Sequence, residues 1–245
     1  MPASLVRRSP VHTGRVVATE QLSERMRRVT MRCDAMLGLA PKPAQDVEVH
    51  LLESTGRRVK RRYTIRHARA ECGELDLDVL LHGEGPGAAW GARAKAGDEV
   101  HFQGPRGKLE LTSADWHLLC GDESALPAIA AVCEALPDRE PARAVIEVRD
   151  EADQLPVRAD VCWVHRNGHP PGTSTLLQPA LAALELPRGS GHGYLMGETR
   201  SVVALRADLE RRGLAHESIF VKGYWNLGRP DRIAGRAPGK QGSGA

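Results

Sequence analysis

The sequence predicts a small antiparallel β barrel followed by a doubly wound parallel α/β sheet, and three observations carry that prediction. The 245 residues suit about two domains of ordinary size, with enough chain for two hydrophobic cores. Up to about residue 111 the pattern is of short period-two strands punctuated by Gly, Pro and Asp. From Trp116 the rhythm changes to strands alternating with helices, which implies a parallel sheet covered on both faces.

In order along the barrel, strands are expected over 47–52, 59–66, 75–81 and 99–103. The third shows leucines alternating with aspartates, a half-buried pattern. One helix is expected in this region, starting near Pro86, because proline suits a first helical turn. The second unit then reads strand 116–120, helix 125–136, strands 144–148 and 161–165, helix 175–184, strand 193–196, helix 200–212 and strand 218–224. The boundary falls near Ser113, giving domains over 1–112 and 113–229. The tail, 230–245, is rich in Gly, Pro and basic residues, has no apolar periodicity, and is expected to be flexible.

Composition narrows the function classes. The net charge of +3 is too small to argue for nucleic acid, although seven of the thirteen residues from Arg57 to Arg69 are Lys or Arg. Nucleic-acid binding calls for a broad basic surface with stacking aromatics, and Tyr63 is the single aromatic in that run. An anionic cofactor with an anionic substrate accounts for the cluster better. The five cysteines, Cys33, Cys72, Cys120, Cys133 and Cys162, form no Cys-x-x-Cys pair, so neither a structural zinc nor an iron–sulfur cluster is expected. Residues 1–25 are charged throughout, with no apolar leader core, and no stretch has the length of a membrane span. The expectation is a cytoplasmic protein without membrane insertion.

Three motifs carry chemistry. Arg61-Arg62-Tyr63-Thr64-Ile65-Arg66 puts a guanidinium, an aromatic face and a hydroxyl on one extended segment, the groups needed to pair with a pyrophosphate, stack on an isoalloxazine and bond its N5 edge. From Asp78 to Trp90 an alternating strand runs through His82-Gly83-Glu84-Gly85-Pro86 into a small-residue helix, a turn suited to phosphate at the helix start. A plain strand-to-helix connection would carry the same glycines. Leu118 to Ile129 leads from an apolar strand through Gly121-Asp122-Glu123-Ser124-Ala125 into a helix; Asp122 there also suits a helix cap.

In this order and spacing the three motifs resemble the siderophore-interacting proteins, flavin-dependent ferric-siderophore reductases of the ferredoxin-reductase superfamily. The resemblance runs over about 11–229: Gly197-Glu198 looks like that family's Gly-Glu turn, and Gly223-Tyr224-Trp225-Asn226-Leu227-Gly228 like its closing Tyr-Trp motif. Gly87, Gly91 and Ser124 stand where Ala, Ala and Thr are usual, small-for-small changes expected to leave the cradle intact. Asn226 stands where a basic residue is frequent.

The resemblance implies an FAD-binding barrel and an NAD(P)H-binding sheet. It implies cofactor contacts at Arg61, Tyr63, Thr64, Leu81, His82, Gly83, Pro86, Ala88, Ala89, Trp90, Gly121, Asp122, Glu123, Ser124, Ala125, Gly197, Glu198 and Trp225. Lys60, Arg62, Arg66, Lys222 and Arg229 flank the motifs and are the candidates for an anionic ferric siderophore. Arg149, Arg166 or Arg206 are candidates for the 2′-phosphate of NADPH, with NADH left open. The implied reaction passes a hydride from NAD(P)H to FAD and then single electrons to ferric iron, with the flavin carrying the chemistry and no protein metal ligand. No nucleophile–base constellation with triad spacing is present. The alternatives on this sequence are a general NAD(P)H-dependent flavin or ferric reductase, or a non-enzymatic siderophore carrier or sensor. A monomer is expected.

Overall fold

The computed structural model describes residues 10–53 and 55–228. Arg229 and the tail over 230–245 lie outside the described residues. Six strands close an antiparallel barrel: β1 (His12–Gln21), β2 (Met26–Arg32), β3 (Asp46–Leu52), β4 (Arg58–Arg69), β5 (Glu74–Leu80) and β6 (Glu99–Arg106), in the order β1-β2-β5-β4-β3-β6. Helix α1 (Pro86–Arg93) links β5 to β6. Val29, Val47, Val49, Leu77, Val79 and Phe102 fill the barrel without measurable exposure.

The second unit is a five-stranded parallel sheet. Its elements are β7 (Trp116–Asp122), α2 (Leu126–Ala135), β8 (Ala142–Val148), β9 (Asp160–His165), α3 (Leu177–Ala183), β10 (Gly191–Glu198), α4 (Thr199–Arg211) and β11 (Ile219–Trp225). The strand order is β11-β10-β7-β8-β9, so the direction of winding reverses between β7 and β10. Every residue of β7 is buried, as a central strand covered on both faces requires. Among the described residues no helix is long and apolar enough to cross a membrane.

Strands β1 and β2 are the elements that apolar alternation did not single out. Most of β1 is exposed outside Gly14 and Val16, whereas polar residues of β2 are paired across the barrel wall. Arg28 makes a two-pronged pair with Asp78 on β5, at 2.7 and 2.9 Å, and the Thr30 hydroxyl donates to Asp76 at 2.8 Å. Asp76 also accepts both Nη atoms of Arg69, at 2.9 and 2.8 Å, and lies 3.1 Å from His67 Nδ1.

Burial alone would raise the Asp76 pKa, but these bonds outweigh it and hold the carboxyl down at about 2. A depressed folded-state pKa gives stability that is fully present above the ordinary value near 4 and lost as pH falls towards 2. We expect about 2 kcal/mol of unfolding free energy to disappear across that window, and Asp76→Asn to flatten this part of the acid limb in urea titrations at pH 5, 3 and 2.

Helix α1 sits directly on β5. A methyl group at Gly91 would lie 2.5 Å from Val79 Cγ1 and 3.1 Å from Leu81 Cδ2, with Val79 fully buried. The glycine therefore meets a packing requirement of this chain. Ala would gain about 1 kcal/mol of helix propensity, but overpacking costs about 1–3 kcal/mol, so Gly91→Ala should lower the melting temperature by a few degrees. At the other end Arg27 on β2 donates to the carbonyls of Gly91, Ala92 and Ala94, neutralising the negative end of the helix.

Candidate functional site

The β4–β5 ladder begins only at Ile65, whereas β4 pairs with β3 from Arg58 to Thr64. Over its first half β4 therefore parts from β5, and a cleft of ≈ 750 Å³ opens there. Because one edge of the strand is unpaired, residues from both faces reach the cleft, and Lys60, Arg61, Arg62, Tyr63 and Thr64 line it in unbroken succession. His82, Gly85, Gly87 and Ala88, leading into α1 and its first turn, form the adjoining wall. Gly87 presses on the motif tyrosine: a methyl there would meet the Tyr63 hydroxyl at 2.6 Å. Tyr63 leans on Trp90 at a ring separation of 5.3 Å, and Trp90 with Leu81 packs against the barrel core.

The opposite wall comes from the parallel sheet, at the carboxyl ends of β7 and β11 where a sheet of this kind binds ligands. Asp122, Glu123, Ser124 and Pro127 contribute, with Gly223, Tyr224, Trp225 and Asn226 beside them and Pro171 at the rim. Asp122, 6% exposed, organises this wall. One carboxylate oxygen accepts from the backbone and hydroxyl of Ser124, and the other accepts from Glu198 N at 2.8 Å and Trp225 Nε1 at 2.9 Å. The N-cap of α2 is Ala125, so Asp122 caps the preceding turn and ties three strand ends together. Tyr224 spans the two units, its hydroxyl 3.5 Å from Thr64 Oγ1. Burial raises the pKa of that phenol, which keeps it protonated through the neutral range.

Several residues expected to touch a cofactor have other work. Glu123 is held between Arg25 from the barrel, at 2.9 and 3.1 Å, and Arg166 from the end of β9, at 3.0 and 3.1 Å. It is a clasp between the units. Glu198 caps α4 by accepting from Ser201 N at 2.8 Å and also receives Leu227 N at 3.2 Å. Gly121 and Gly197 serve close backbone approach: a methyl on Gly121 would lie 2.1 Å from the Met196 carbonyl, and Gly197 has φ +141 with Asp122 pressed against it. Pro86 starts α1, and Ala125 is fully buried behind the cleft wall.

The basic candidates divide in the same way. Lys60, Arg62 and Lys222 line the cleft. Arg66 does not, because it reaches away to Glu134 on α2 and to His67. Arg166 is 1% exposed and committed to Glu123, Arg149 is taken by Glu24 and Asp150, and Arg206 by Glu210 and His216. Asp46 and Glu48 of β3 also line the cleft, and sequence reasoning missed them. Their signal was the strand register: Glu48 pairs with Arg62 and Asp46 with Thr64, bringing the carboxylates beside the motif.

The residues fit a flavin dinucleotide. The volume lies within the roughly 300–1,000 Å³ of ligand pockets. An aromatic ring, a guanidinium and the opening turn of a helix converge on it, the donor set that a stacking ring and a diphosphate need.

Two family models match the chain: Siderophore-interacting FAD-binding domain over residues 45–109 and Siderophore-interacting protein over 114–228. The chain is 36% identical over 180 residues to the ferric vibriobactin reductase ViuB of Vibrio cholerae, a match covering 70% of this chain and 66% of that protein, and so spans just under two thirds of this relative's length. It is 32% identical over 268 residues to Rv2895c of Mycobacterium tuberculosis, with 91% and 93% of the two chains covered. The crystal structure of a siderophore utilization protein from T. fusca superimposes with a TM-score of 0.84 at 32% identity, over 91% of this chain and 95% of that one.

Proposed function

The chain belongs to the siderophore-interacting protein family, and on that premise we propose that it is an FAD-dependent oxidoreductase that passes electrons from a reduced nicotinamide to ferric siderophores. The observation that carries this reading is the single cleft in which the Arg61-Tyr63-Thr64 segment, the start of α1 and the Asp122–Ser124 turn meet Tyr224 and Trp225.

In this reading Arg61 and the first turn of α1 hold the diphosphate, Tyr63 stacks on the ring system and Thr64 bonds its polar edge. Bound FAD supplies two-electron acceptance and single-electron release. The Thr64 and Tyr224 hydroxyls approach to 3.5 Å, so the barrel and sheet walls face each other across the cleft. Tyr224 and Trp225 close the sheet side against water, Trp225 anchored by its bond to Asp122. One reduced nicotinamide is oxidised for every two ferric chelates reduced, and one proton is released. Iron(II) binds hard anionic oxygens more weakly than iron(III), so reduction loosens the chelate. The setting is a soluble, cytoplasmic monomer.

An anaerobic visible spectrum tests the whole path. FAD added to the protein should bleach with NADH or NADPH and recover on addition of a ferric siderophore. A flavin that binds without bleaching would point to a carrier or sensor. Ferric citrate reduced as fast as any siderophore would point to a general ferric reductase.

A further inference from the structure

A dinucleotide bound to this kind of sheet lies outside the carboxyl ends of the strands. The ends of β7 and β11 border the cleft, where a nicotinamide must meet the flavin, so the adenosine half extends over the ends of β8 and β9, on the other side of β7. The loop after β9 reaches the cleft rim through Pro171, which makes that path continuous. The path is acidic. Glu123, Asp150, Glu151 and Asp153 from the sheet, with Glu24 from the turn between β1 and β2, outnumber the guanidiniums of Arg25, Arg149 and Arg166.

Each of those guanidiniums is already committed. Arg166 is buried, gives Nη2 to both Glu123 oxygens at 3.0 and 3.1 Å, and turns Nη1 towards Glu147 at 3.7 Å. Arg25 grips the same Glu123 and approaches Asp153 at 3.5 Å. Arg149 lies among three carboxylates, Glu24 at 2.5 Å, Asp150 at 2.9 Å and Asp153 at 3.4 Å. Asp153 is buried, so drawing Arg149 towards a ligand would strip counter-charge from a carboxylate that has no water to replace it. Between Val148 and Pro187 the one other Lys or Arg is Arg158. It precedes β9, at the opposite end of the sheet, and donates to carbonyls closing α2. Arg200, at the start of α4, follows β10, two strands away from β8.

We propose that the carboxyl ends of β8 and β9 receive the adenosine half of the electron donor and select NADH over NADPH, with Glu24 and Asp150 as the residues that withhold Arg149 from a 2′-phosphate. The proposal rests on the reductase reading above and adds the donor's identity and the side chains that decide it. A free ribose 2′-hydroxyl can donate to a strand-end carboxylate. A 2′-phosphate carries nearly two negative charges at neutral pH, and on this path it meets a carboxylate excess with every nearby cation paired.

Binding of NAD+ and NADP+ to the FAD-loaded protein is measured by calorimetry, alongside kcat and KM for NADH and NADPH with a ferric siderophore, at pH 8 where an imidazole of ordinary pKa is neutral. The unaltered protein should favour NAD+ and NADH by about tenfold or more, through KM, and the preference should shrink as added salt screens the repulsion. The double substitution Glu24→Gln with Asp150→Asn removes two of the carboxylates around Arg149 while keeping an acceptor at the Asp150 position for Ala152 N. It should move the ratio about tenfold towards the phosphorylated nucleotides. Glu151→Arg, at an exposed position that leaves the clasp between the units intact, should move it the same way. NADPH bound or used as well as NADH by the unaltered protein, a ratio unmoved by both variants, or no binding of either nucleotide overturns the proposal. If NAD+ binds more tightly than NADP+ while neither reduced nucleotide bleaches the flavin, the reductase reading falls and the nucleotide assignment stands.

Discussion

Replacing Asp122 with Ala should destabilise the protein by about 3–5 kcal/mol, among the largest effects expected of any single substitution in the chain. The carboxylate receives Ser124 N, Glu198 N and Trp225 Nε1, and the Ser124 hydroxyl in addition. Glu198 is 3% exposed, so its N–H has no water to turn to once the acceptor is gone. Each buried donor left unsatisfied costs about 1–3 kcal/mol, with Trp225, half-buried at the cleft mouth, at the low end. For a chain of this size that corresponds to a fall of about 10 °C in melting temperature by circular dichroism. Asp122→Asn should fall between, since one acceptor oxygen survives while the new amide faces donors. A double-mutant cycle with Trp225→Phe isolates the indole contribution: the two losses should be less than additive by about 1 kcal/mol. A melting temperature within 2 °C of the parent would sink the assignment of Asp122 as the tie between β7, β10 and β11.

The parts of the site carried by contiguous residues were legible in the sequence, and the parts carried by register and distance were not. The segment 61–64 announces itself because cation, aromatic and hydroxyl are adjacent, and 82–90 because glycine and proline mark the turn into α1. Strand β2 was obscured because Arg28 and Thr30 satisfy buried partners, so its polarity imitates a solvated face, and β1 because most of its residues are exposed. Glu123 belongs to a motif that suggests a cofactor, yet its partners Arg25 and Arg166 lie 98 and 43 residues away, beyond any local pattern. The same holds for Lys222 and Asp46, 176 residues apart. Gly91 shows the converse limit. Glycine in a helix reads as a mild defect, and only the 2.5 Å approach to Val79 reveals why Ala would cost stability here.

Arg61→Ala should raise the dissociation constant for FAD by about 10–100-fold, measured by quenching of FAD fluorescence on titration with the apoprotein. Arg61 lines the cleft between Tyr63 and the start of α1, and one of its guanidinium nitrogens donates to the Lys60 carbonyl at 2.9 Å, which steadies the group. Hydrogen bonds to a charged partner contribute about 1.5–3 kcal/mol, and 1.4 kcal/mol is a factor of ten in affinity. Arg61→Lys should recover only part of the loss, because an ammonium restores the charge but not the planar pair of donors that matches a diphosphate. Tyr63→Phe should be nearly neutral for FAD if the tyrosine acts through its ring, and Tyr63→Ala should weaken binding more than Phe does. The salt dependence separates charge from shape: binding to the parent should weaken with added salt, and the slope should flatten in Arg61→Ala while remaining unchanged in Tyr63→Ala. Equal FAD affinity in Arg61→Ala and the parent would leave the opening turn of α1 as the sole holder of the diphosphate, and the guanidinium would then belong to the substrate side of the cleft.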